Sequence, residues 1–331
     1  MAKKNIPIFV AHYGCPHRCV FCNQQRITGR DTNVCASDVI ETVRHALDTL
    51  RCEDTAEIAF FGGSFTAIPD ALQRELLDAA KPFLQDSRIC GIRLSTRPDC
   101  ITEENLRMLQ DYGVTSIELG VQSTDEEVLR LAERGHTIQH VRCAAEMIRG
   151  LGFELGAQMM IGLPGDTFEK SMQTACDIIA LEPDTVRIYP TLVIRETKLY
   201  ELYLKGSYQP LALDTAVSWC AQLYQKFDKH GIRVLRMGLM ASQEIRAGQG
   251  VAAGPWHPAF GELVASRLML VQLQRLAKRV KKGRPLLIRV HPKDVSKVIG
   301  QHRCNMAAIA DEFGVNVCVK ADETVEVGSI V

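Results

Sequence analysis

Net charge is the first thing this chain lacks: 39 lysines and arginines stand against 39 aspartates and glutamates. A balanced total gives no global field to draw a polyanion, so any nucleic-acid partner must be held by a local patch. Apolar runs of about 18 residues, the length a spanning helix needs, are missing too, so no membrane partner is expected. The N-terminus, MAKKNIPIFVAHYG, has neither a long apolar stretch nor a small-residue cleavage site. It reads as a first strand rather than a secretion signal, and a cytoplasmic location is expected. No repeat of fixed length is evident. Cysteine is not scarce, at twelve residues, but nine of them (Cys35, Cys52, Cys90, Cys100, Cys143, Cys176, Cys220, Cys304, Cys318) are scattered singly. They read as small buried hydrophobes of a reducing compartment, not as a disulfide framework.

What is present is a serial α/β pattern in a chain of 331 residues, long enough for one large domain and a small one. Strands are predicted over 6–13, 56–62, 91–96, 116–122, 154–162 and 185–190, with amphipathic helical stretches between them. Ser37 is the expected N-cap of the first helix and Pro69 lies in the first turn of the second. Gly113 and Gly152 supply helix stops. Six β-then-α units imply a parallel sheet, doubly wound or barrel-like. Glycines and polar residues gather at the strands' C-terminal ends (GGSF, STRP, GVQS, GLPG, YPTLVIR), where α/β folds build their sites. A helix over 213–231 and a strand-like run over 232–238 follow. Residues 241–261 read as a long loop, in which GPWHPAFGEL (254–263) is a lid or a packed connector. A helix from about 262 to 280 leads into the basic run KRVKKGRP (278–285).

Against that ordinary background, AHYGCPHRCVFCNQQ (11–25) places Cys15, Cys19 and Cys22 in a C-x3-C-x2-C spacing. Three thiolates so spaced can wrap one metal centre and leave a fourth position open. A four-iron cluster fits, and so does a Cys3His zinc site using His12 or His17.

The triplet, with Phe21 before its last cysteine, resembles the signature of the radical S-adenosylmethionine (SAM) superfamily. FFGGSFTAIP (60–69), STRPDCITEENLRML (95–109), IELGVQSTDEEVLRLAERGH (117–136), MMIGLPGDT (159–167) and RIYPTLVIRETKLYELYLKGSYQP (187–210) resemble, in order, the branch containing oxygen-independent coproporphyrinogen oxidase and Elongator's catalytic subunit. The resemblance implies a partial (β/α)6 TIM-like barrel over 1–240. It implies that Cys15, Cys19 and Cys22 ligate a single [4Fe-4S] cluster. Gly62, Gly63 and Ser64 would line the methionine end of SAM, with Thr96 and Arg97 near its carboxylate or sugar. Glu118, Gln122 and Arg130 would contribute polar contacts to SAM, the alternative for Glu118 and Arg130 being a structural ion pair. Leu192, Val193 and Ile194 would flank the adenine, the alternative being core packing. The chemistry implied is one-electron cleavage of SAM to a 5′-deoxyadenosyl radical, fed by a donor such as flavodoxin or ferredoxin.

After a loop, helix and basic linker (241–285), residues 286–331 pattern as strand (286–291), helix (292–299), tight loop, helix (304–313) and strand (315–320). VIGQHRCNM resembles the VIGxxGxxI core of KH domains, which makes Gly300, Gln301, His302 and Arg303 candidate RNA-binding residues. Arg303 stands where the second glycine belongs. The expected whole is thus an α/β partial barrel with a small C-terminal βααβ, KH-like domain. Its expected function is a radical SAM enzyme that modifies a base of tRNA or rRNA. Alternatives are a radical SAM enzyme on a porphyrinogen-like small molecule, and a non-catalytic iron–sulfur RNA-binding protein. No second cysteine triplet and no acetyltransferase-like pattern are seen, so neither methylthiolation nor acetyl-dependent chemistry is carried over from the resemblance.

Overall fold

The computed structural model describes residues 4–10, 15–23, 34–239 and 250–331. The chain forms two compact units, one of residues 1–212 and 226–256, the other of residues 213–225 and 257–331.

The first unit is built on seven parallel strands hydrogen-bonded in chain order. Six are β1 (Lys4–Val10), β2 (Ala56–Gly62), β3 (Ile89–Thr96), β4 (Val114–Gln122), β5 (Glu154–Ile161) and β6 (Thr185–Pro190). After the short β7 (Val193–Ile194), the seventh is β8 (Arg233–Met237), one more than the six units counted in the sequence. A doubly wound sheet reverses its strand order at a switch point. This one never does, so the sheet curls one way, into a half-barrel.

The curl is visible in one contact. The Arg187 guanidinium of β6 lies 4.6 Å from the centroid of the Phe61 ring of β2. On a flat sheet, four strand spacings of about 4.8 Å would separate them by roughly 19 Å. Both side chains must therefore point into a concave interior. Alternation along the strands follows. Ile58, Phe60, Ile92, Leu94, Ile117, Leu119, Leu155 and Ala157 form one buried apolar set. Glu57, Arg93, Ser95, Ser116, Glu118 and Gln158 alternate with them, and all of these but Ser116 meet one another through their side chains across neighbouring strands.

The apolar face is covered by helices α1 (Ala36–Thr49), α2 (Asp70–Ala80), α3 (Glu103–Asp111), the short α4 (Glu126–Leu131), α5 (Ile138–Gly150) and α6 (Phe168–Ala180). Their buried stripes include Val39 and Val43, Leu76 and Leu77, and Leu106 and Leu109. Helix α1 begins two residues earlier than Ser37 would have it. Cys35 is the N-cap, because Asp38 at N3 can accept the Cys35 amide at 2.9 Å, a reciprocity Ser37 would not find in Ile40. Pro69 is likewise the N-cap of α2, and Gly113 and Gly152 end their helices at φ +78° and +82°. Further on come α7 (Lys198–Leu204), α8 (Leu213–Asp228), shared between the two units, and β9 (Val251–Ala253), antiparallel to β7.

The second unit contains α9 (Phe260–Ala277), β10 (Leu286–Val290), α10 (Val295–Ile299), α11 (Cys304–Phe313) and β11 (Val317–Ala321), with β10 and β11 parallel. Its core joins Met269, Leu273 and Ala277 of α9 to Ile288, Val290, Val298, Ile309 and Val315.

The lone cysteines depart from expectation. None of the twelve cysteines is in a disulfide, but of the nine only Cys220 is buried; Cys35, Cys52, Cys90, Cys143, Cys304 and Cys318 are exposed. Each of those six sits on the solvent side of a helix or strand, or in a turn, so the expected burial does not hold for them. No helix among the described residues is long and apolar enough to cross a membrane.

Candidate cluster and cofactor site

The cysteine loop is fixed by its apolar residues. Val20 is buried with Val128, Ala132, Leu163, Val193, Leu199 and Tyr208, and Phe21 packs on the same group. The Val20 amide donates to the Ala132 carbonyl at 3.1 Å, and the Leu199 amide donates to the Val20 carbonyl at 2.8 Å. Phe21, read from sequence as part of a signature, thus has a packing role. His17 lies against Gly135: a Cβ there would stand 2.4 Å from the imidazole, and φ of +77° suits glycine.

This anchoring sets Cys19, which is buried, beside two guanidinium groups. Arg134 Nη1 approaches its sulfur at 3.4 Å and Arg97 Nη1 at 3.9 Å. Cys15 accepts the Ser64 amide; burial raises its pKa while Arg134 and Arg97 pull it down. A turn closes the triplet, the Cys22 amide donating to the Cys19 carbonyl at 3.0 Å. Among the described residues no three His, Cys, Asp or Glu side chains are gathered as a ready metal set. His17 faces Asp99 at 3.9 Å, and His12 lies outside the described residues. The donor chemistry nonetheless fits a thiolate-bound anionic cluster: three thiols on one short loop, with paired positive charge against the buried one.

Around this loop the strand ends converge. Gly62 ends β2 at φ +107°, and the Gly63 amide donates to the Val10 carbonyl at 2.9 Å. The Ser64, Thr66 and Thr96 hydroxyls form a buried chain, 2.9 Å from Ser64 to Thr96 and 2.6 Å from Thr66 to Thr96. The Arg97 amide donates to Ser64 Oγ at 3.1 Å, so the β2 and β3 ends are stitched together. The Arg97 side chain grips Asp99 through Nε and Nη2, both at 2.9 Å, and also donates to the Arg134 carbonyl. Burial acts to raise Asp99, but the Arg97 hydrogen bonds and charge outweigh it and hold the carboxyl below its usual range. Arg134 reaches inward because Gly120 leaves room: a Cβ there would come within 2.7 Å of Arg134 Nη2, which donates to the Gly120 carbonyl at 2.7 Å. His136 is buried, and burial, then Arg134 and Arg97, push it down to about 3. The imidazole is neutral, and its Nε2 lies 3.1 Å from the Val121 carbonyl.

Of the strand-four candidates, Gln122 sits at the β4 end with φ +63°, buried, its Oε1 without a hydrogen-bond partner. Glu118 is farther down the strand and pairs with Arg187 and Arg93 at 3.1 and 3.9 Å. Arg130, expected as a polar contact to SAM, is exposed on α4, and the alternative Glu118–Arg130 ion pair does not form either. The helix turns Arg130 outward, and it is Arg134, after the helix, that reaches the site. Leu192, Val193 and Ile194 are all buried: Val193 in the cluster beneath the cysteine loop, Leu192 and Ile194 with Val251, Leu239 and Trp256. Trp256, suspected in a lid, is thus packed; residues 240–249 of that loop lie outside the described residues. Sequence reasoning missed Arg134, Asp99, Thr66 and His136. RGH (134–136) and the aspartate of STRPD were in view, but only folding shows that Arg134 reaches Cys19 and that Asp99 holds the second arginine there, Arg97.

The β5 turn carries a titrating group. Asp166 accepts the Gly162 amide and the Ser171 hydroxyl, each at 2.7 Å, yet burial pushes it up to about 6. An unfolded aspartate titrates near 4, so between roughly pH 4 and pH 6 the folded protein keeps a proton the unfolded chain has lost. Stability should fall as pH rises through that window, by at most about 3 kcal/mol and less where solvent reaches the carboxylate. Asp166→Asn is expected to remove that slope from a plot of Tm against pH. His136, neutral when folded, contributes the opposite slope between roughly pH 3 and pH 6.5 in both proteins, so the difference between them isolates Asp166.

In the second unit, the turn after α10 opens at Gly300, φ +76°, where a Cβ would meet Cys304 Sγ at 2.6 Å. Gln301, His302 and Arg303 are exposed, and His302 and Arg303 are left-handed at φ +50° and +62°. Arg303 therefore keeps the backbone a glycine would adopt, at a cost of about 1–2 kcal/mol. The Asn305 amide fastens the turn to Lys297, Val298 and Ser266 carbonyls at 3.1–3.2 Å. The first of the two expected helices is shorter than 292–299, since residues 292–294 form a 3-10 turn before α10.

A half-barrel with a three-thiol loop at its strand ends is what radical SAM proteins share, and the chain belongs to the radical SAM superfamily: that family's model matches residues 10–175. The radical SAM C-terminal domain matches residues 183–269. An uncharacterised protein of Methanocaldococcus jannaschii is 30% identical, over 62% of this chain and 66% of its own. Human Elongator complex protein 3 is 31% identical over 54% of this chain and 37% of its own. A tRNA uridine(34) acetyltransferase of Methanocaldococcus infernus is 28% identical over 61% and 46%. The chain spans less than two thirds of the length of each of these relatives. Among solved structures, an archaeal Elp3 from Methanocaldococcus infernus, with an N-terminal deletion, matches at a TM-score of 0.64 and 23% identity over 82% of this chain and 64% of that one. Coproporphyrinogen III oxidase of Escherichia coli, a radical SAM enzyme, matches at 0.50 and 17% over 81% and 59%. These structural likenesses speak for the fold. Membership of the family marks the chain as an enzyme and implies a [4Fe-4S] cluster and SAM.

Proposed function

We propose that this enzyme acts on a base of RNA, tRNA first, and that Cys15, Cys19 and Cys22 hold its cluster. The observation that carries the cluster assignment is the Cys19 sulfur lying within 3.4 and 3.9 Å of two arginine side chains, on a loop whose other two thiols are only a few residues away. The bound cluster and SAM would supply a hydrogen-abstracting carbon radical after one-electron reduction by a flavodoxin- or ferredoxin-like donor. The chain's own part is positional. Arg97 and Arg134 offset thiolate charge, and Asp99 holds Arg97 in place. Gly62, Gly63 and Ser64 offer backbone and hydroxyl groups to the methionine end, with Thr96 and Arg97 beside them and Gln122 Oε1 as an acceptor at the β4 end. Leu192, Val193 and Ile194 give the adenine an apolar wall.

The RNA assignment is supported by the relative named as a tRNA uridine(34) acetyltransferase and by the turn that follows Gly300, whose Gln301, His302 and Arg303 are exposed at the head of α11. We take 1–240 as the radical SAM core, 241–285 as loop, helix and basic linker, and 286–331 as the RNA-binding domain. Reconstituted protein given SAM and dithionite should release 5′-deoxyadenosine. Nucleosides from tRNA and rRNA of cells with and without the gene should differ by one modified species. Ultraviolet crosslinking should recover several-fold less RNA with Arg303→Glu. Release of 5′-deoxyadenosine without any nucleoside difference would favour a small-molecule substrate. No release at all would leave a non-catalytic iron–sulfur protein.

A further inference from the structure

Below the strand ends, the concave face carries charge that the cofactor site does not use. Arg93 donates to Glu57 Oε2 at 2.9 Å and to Glu154 at 3.3 Å. Glu118 receives the Gln158 amide, and Gln158 also reaches Ser95 Oγ at 3.4 Å. Arg187 stacks over Phe61 and donates to the Tyr189 hydroxyl at 3.4 Å. Arg93 and Glu118 are 1% exposed and Arg187 8%.

Such depth makes unmade hydrogen bonds costly. Yet Arg93 Nη1, Glu118 Oε2 and Arg187 Nε are buried and make none. Glu118 Oε2 and Arg187 Nε lie 3.1 Å apart, charge-paired but misaligned for a hydrogen bond. A second feature lets Glu118 lie across the neighbouring strand. Gly156 lies between Glu118 and Thr185, and a Cβ on it would stand 3.0 Å from Glu118 Cγ and 3.2 Å from Thr185 Oγ1. A larger residue would press on the carboxylate. The result is a buried acceptor beside a buried donor, with an aromatic ring holding the donor's plane.

We propose that Glu118 and Arg187 position the substrate base, by its edge on which an N–H stands next to a carbonyl. Glu118 Oε2 accepts the N–H, and Arg187 Nε donates to the carbonyl. A lactam or imide edge, as in uracil or guanine, has that order of groups; adenine and cytosine offer an amino group beside a bare ring nitrogen and no such N–H. The depth of the pair puts the base inside the barrel, beneath the strand-end site where SAM is assigned, so Arg187 is a positioning residue for the substrate. Glu118, expected from sequence to touch SAM, is reassigned with it. This inference rests on the nucleobase reading above.

The test uses full-length reconstituted protein, bulk tRNA from a strain lacking the gene, and two variants, Arg187→Lys and Arg187→Gln. Lysine keeps the charge opposite Glu118 but loses the planar donor. The quantity read is modified nucleoside formed per 5′-deoxyadenosine released. It is expected to fall about 10- to 100-fold in both variants, the discrimination one well-formed base contact supplies. Iron content and the shift in the cluster's electron paramagnetic resonance on adding SAM report on folding and cofactor binding. A ratio within twofold of wild type in the lysine variant would mean a layer satisfied by water and structural only, and would overturn the proposal. Loss of the SAM-induced shift would place Arg187 at the cofactor, and would overturn it too. A wild-type enzyme that modifies no nucleoside in this assay would instead overturn the RNA reading beneath it.

Discussion

Cys19→Ala should yield a colourless protein that releases no 5′-deoxyadenosine above background. Its sulfur is the buried member of the triplet and the one against both Arg134 and Arg97, so no neighbouring thiol can take its place. The nearest controls are cysteines the fold leaves on the surface. Cys143→Ala, on the exposed side of α5, should stay brown and keep wild-type iron content. Absorbance near 400 nm, iron and sulfide per chain, and 5′-deoxyadenosine by chromatography decide the matter. A colourless wild type loaded with zinc would sink the assignment.

The second large effect is expected at Arg97. Its guanidinium makes both bonds to Asp99 and also holds the Arg134 carbonyl, so Arg97→Met removes three donors at once. Asp99 is then a mostly buried carboxylate with its main counter-charge gone, a change that costs about 3–5 kcal/mol. In a chain of this size that corresponds to a Tm lower by on the order of 10 °C. The double change Arg97→Met with Asp99→Asn should recover part of the loss, because the two residues share one interaction. Full additivity of the two single effects would show that the pair does not stabilise the fold.

Much of this was legible in the sequence, and the reasons differ by element. Strands β2 and β6 were readable to the residue because they are bounded by turn-formers and rich in β-branched and aromatic residues. The cysteine triplet and its glycine partner loop were readable because a fixed spacing on one short segment survives folding unchanged. The barrel-versus-open-sheet choice came only through the family resemblance, since strand order is a property of long-range pairing that no local pattern carries. The short α4 and α7 lacked the length that periodicity needs. Arg134 was invisible for a different reason: nothing local distinguishes an arginine that faces solvent, as Arg130 does, from one that turns in beside Gly120. The alternation Ser116, Glu118, Gly120, Gln122 did carry a signal, polar residues at period two in a strand with apolar residues between them. That pattern says the polar face looks at something other than a helix.

Among the described residues the sheet begins at β1 and ends at β8, so its two outermost strands each have a partner on one side. Such borders invite addition of a strand from another molecule. Here β1 carries Pro7 in its middle and exposed Lys4 and Asn5 at its start, while β8 opens on exposed Arg233. Proline offers no amide to a newcomer, and the charges keep company away. Those few residues keep the two borders of the half-barrel from seeding a longer ribbon.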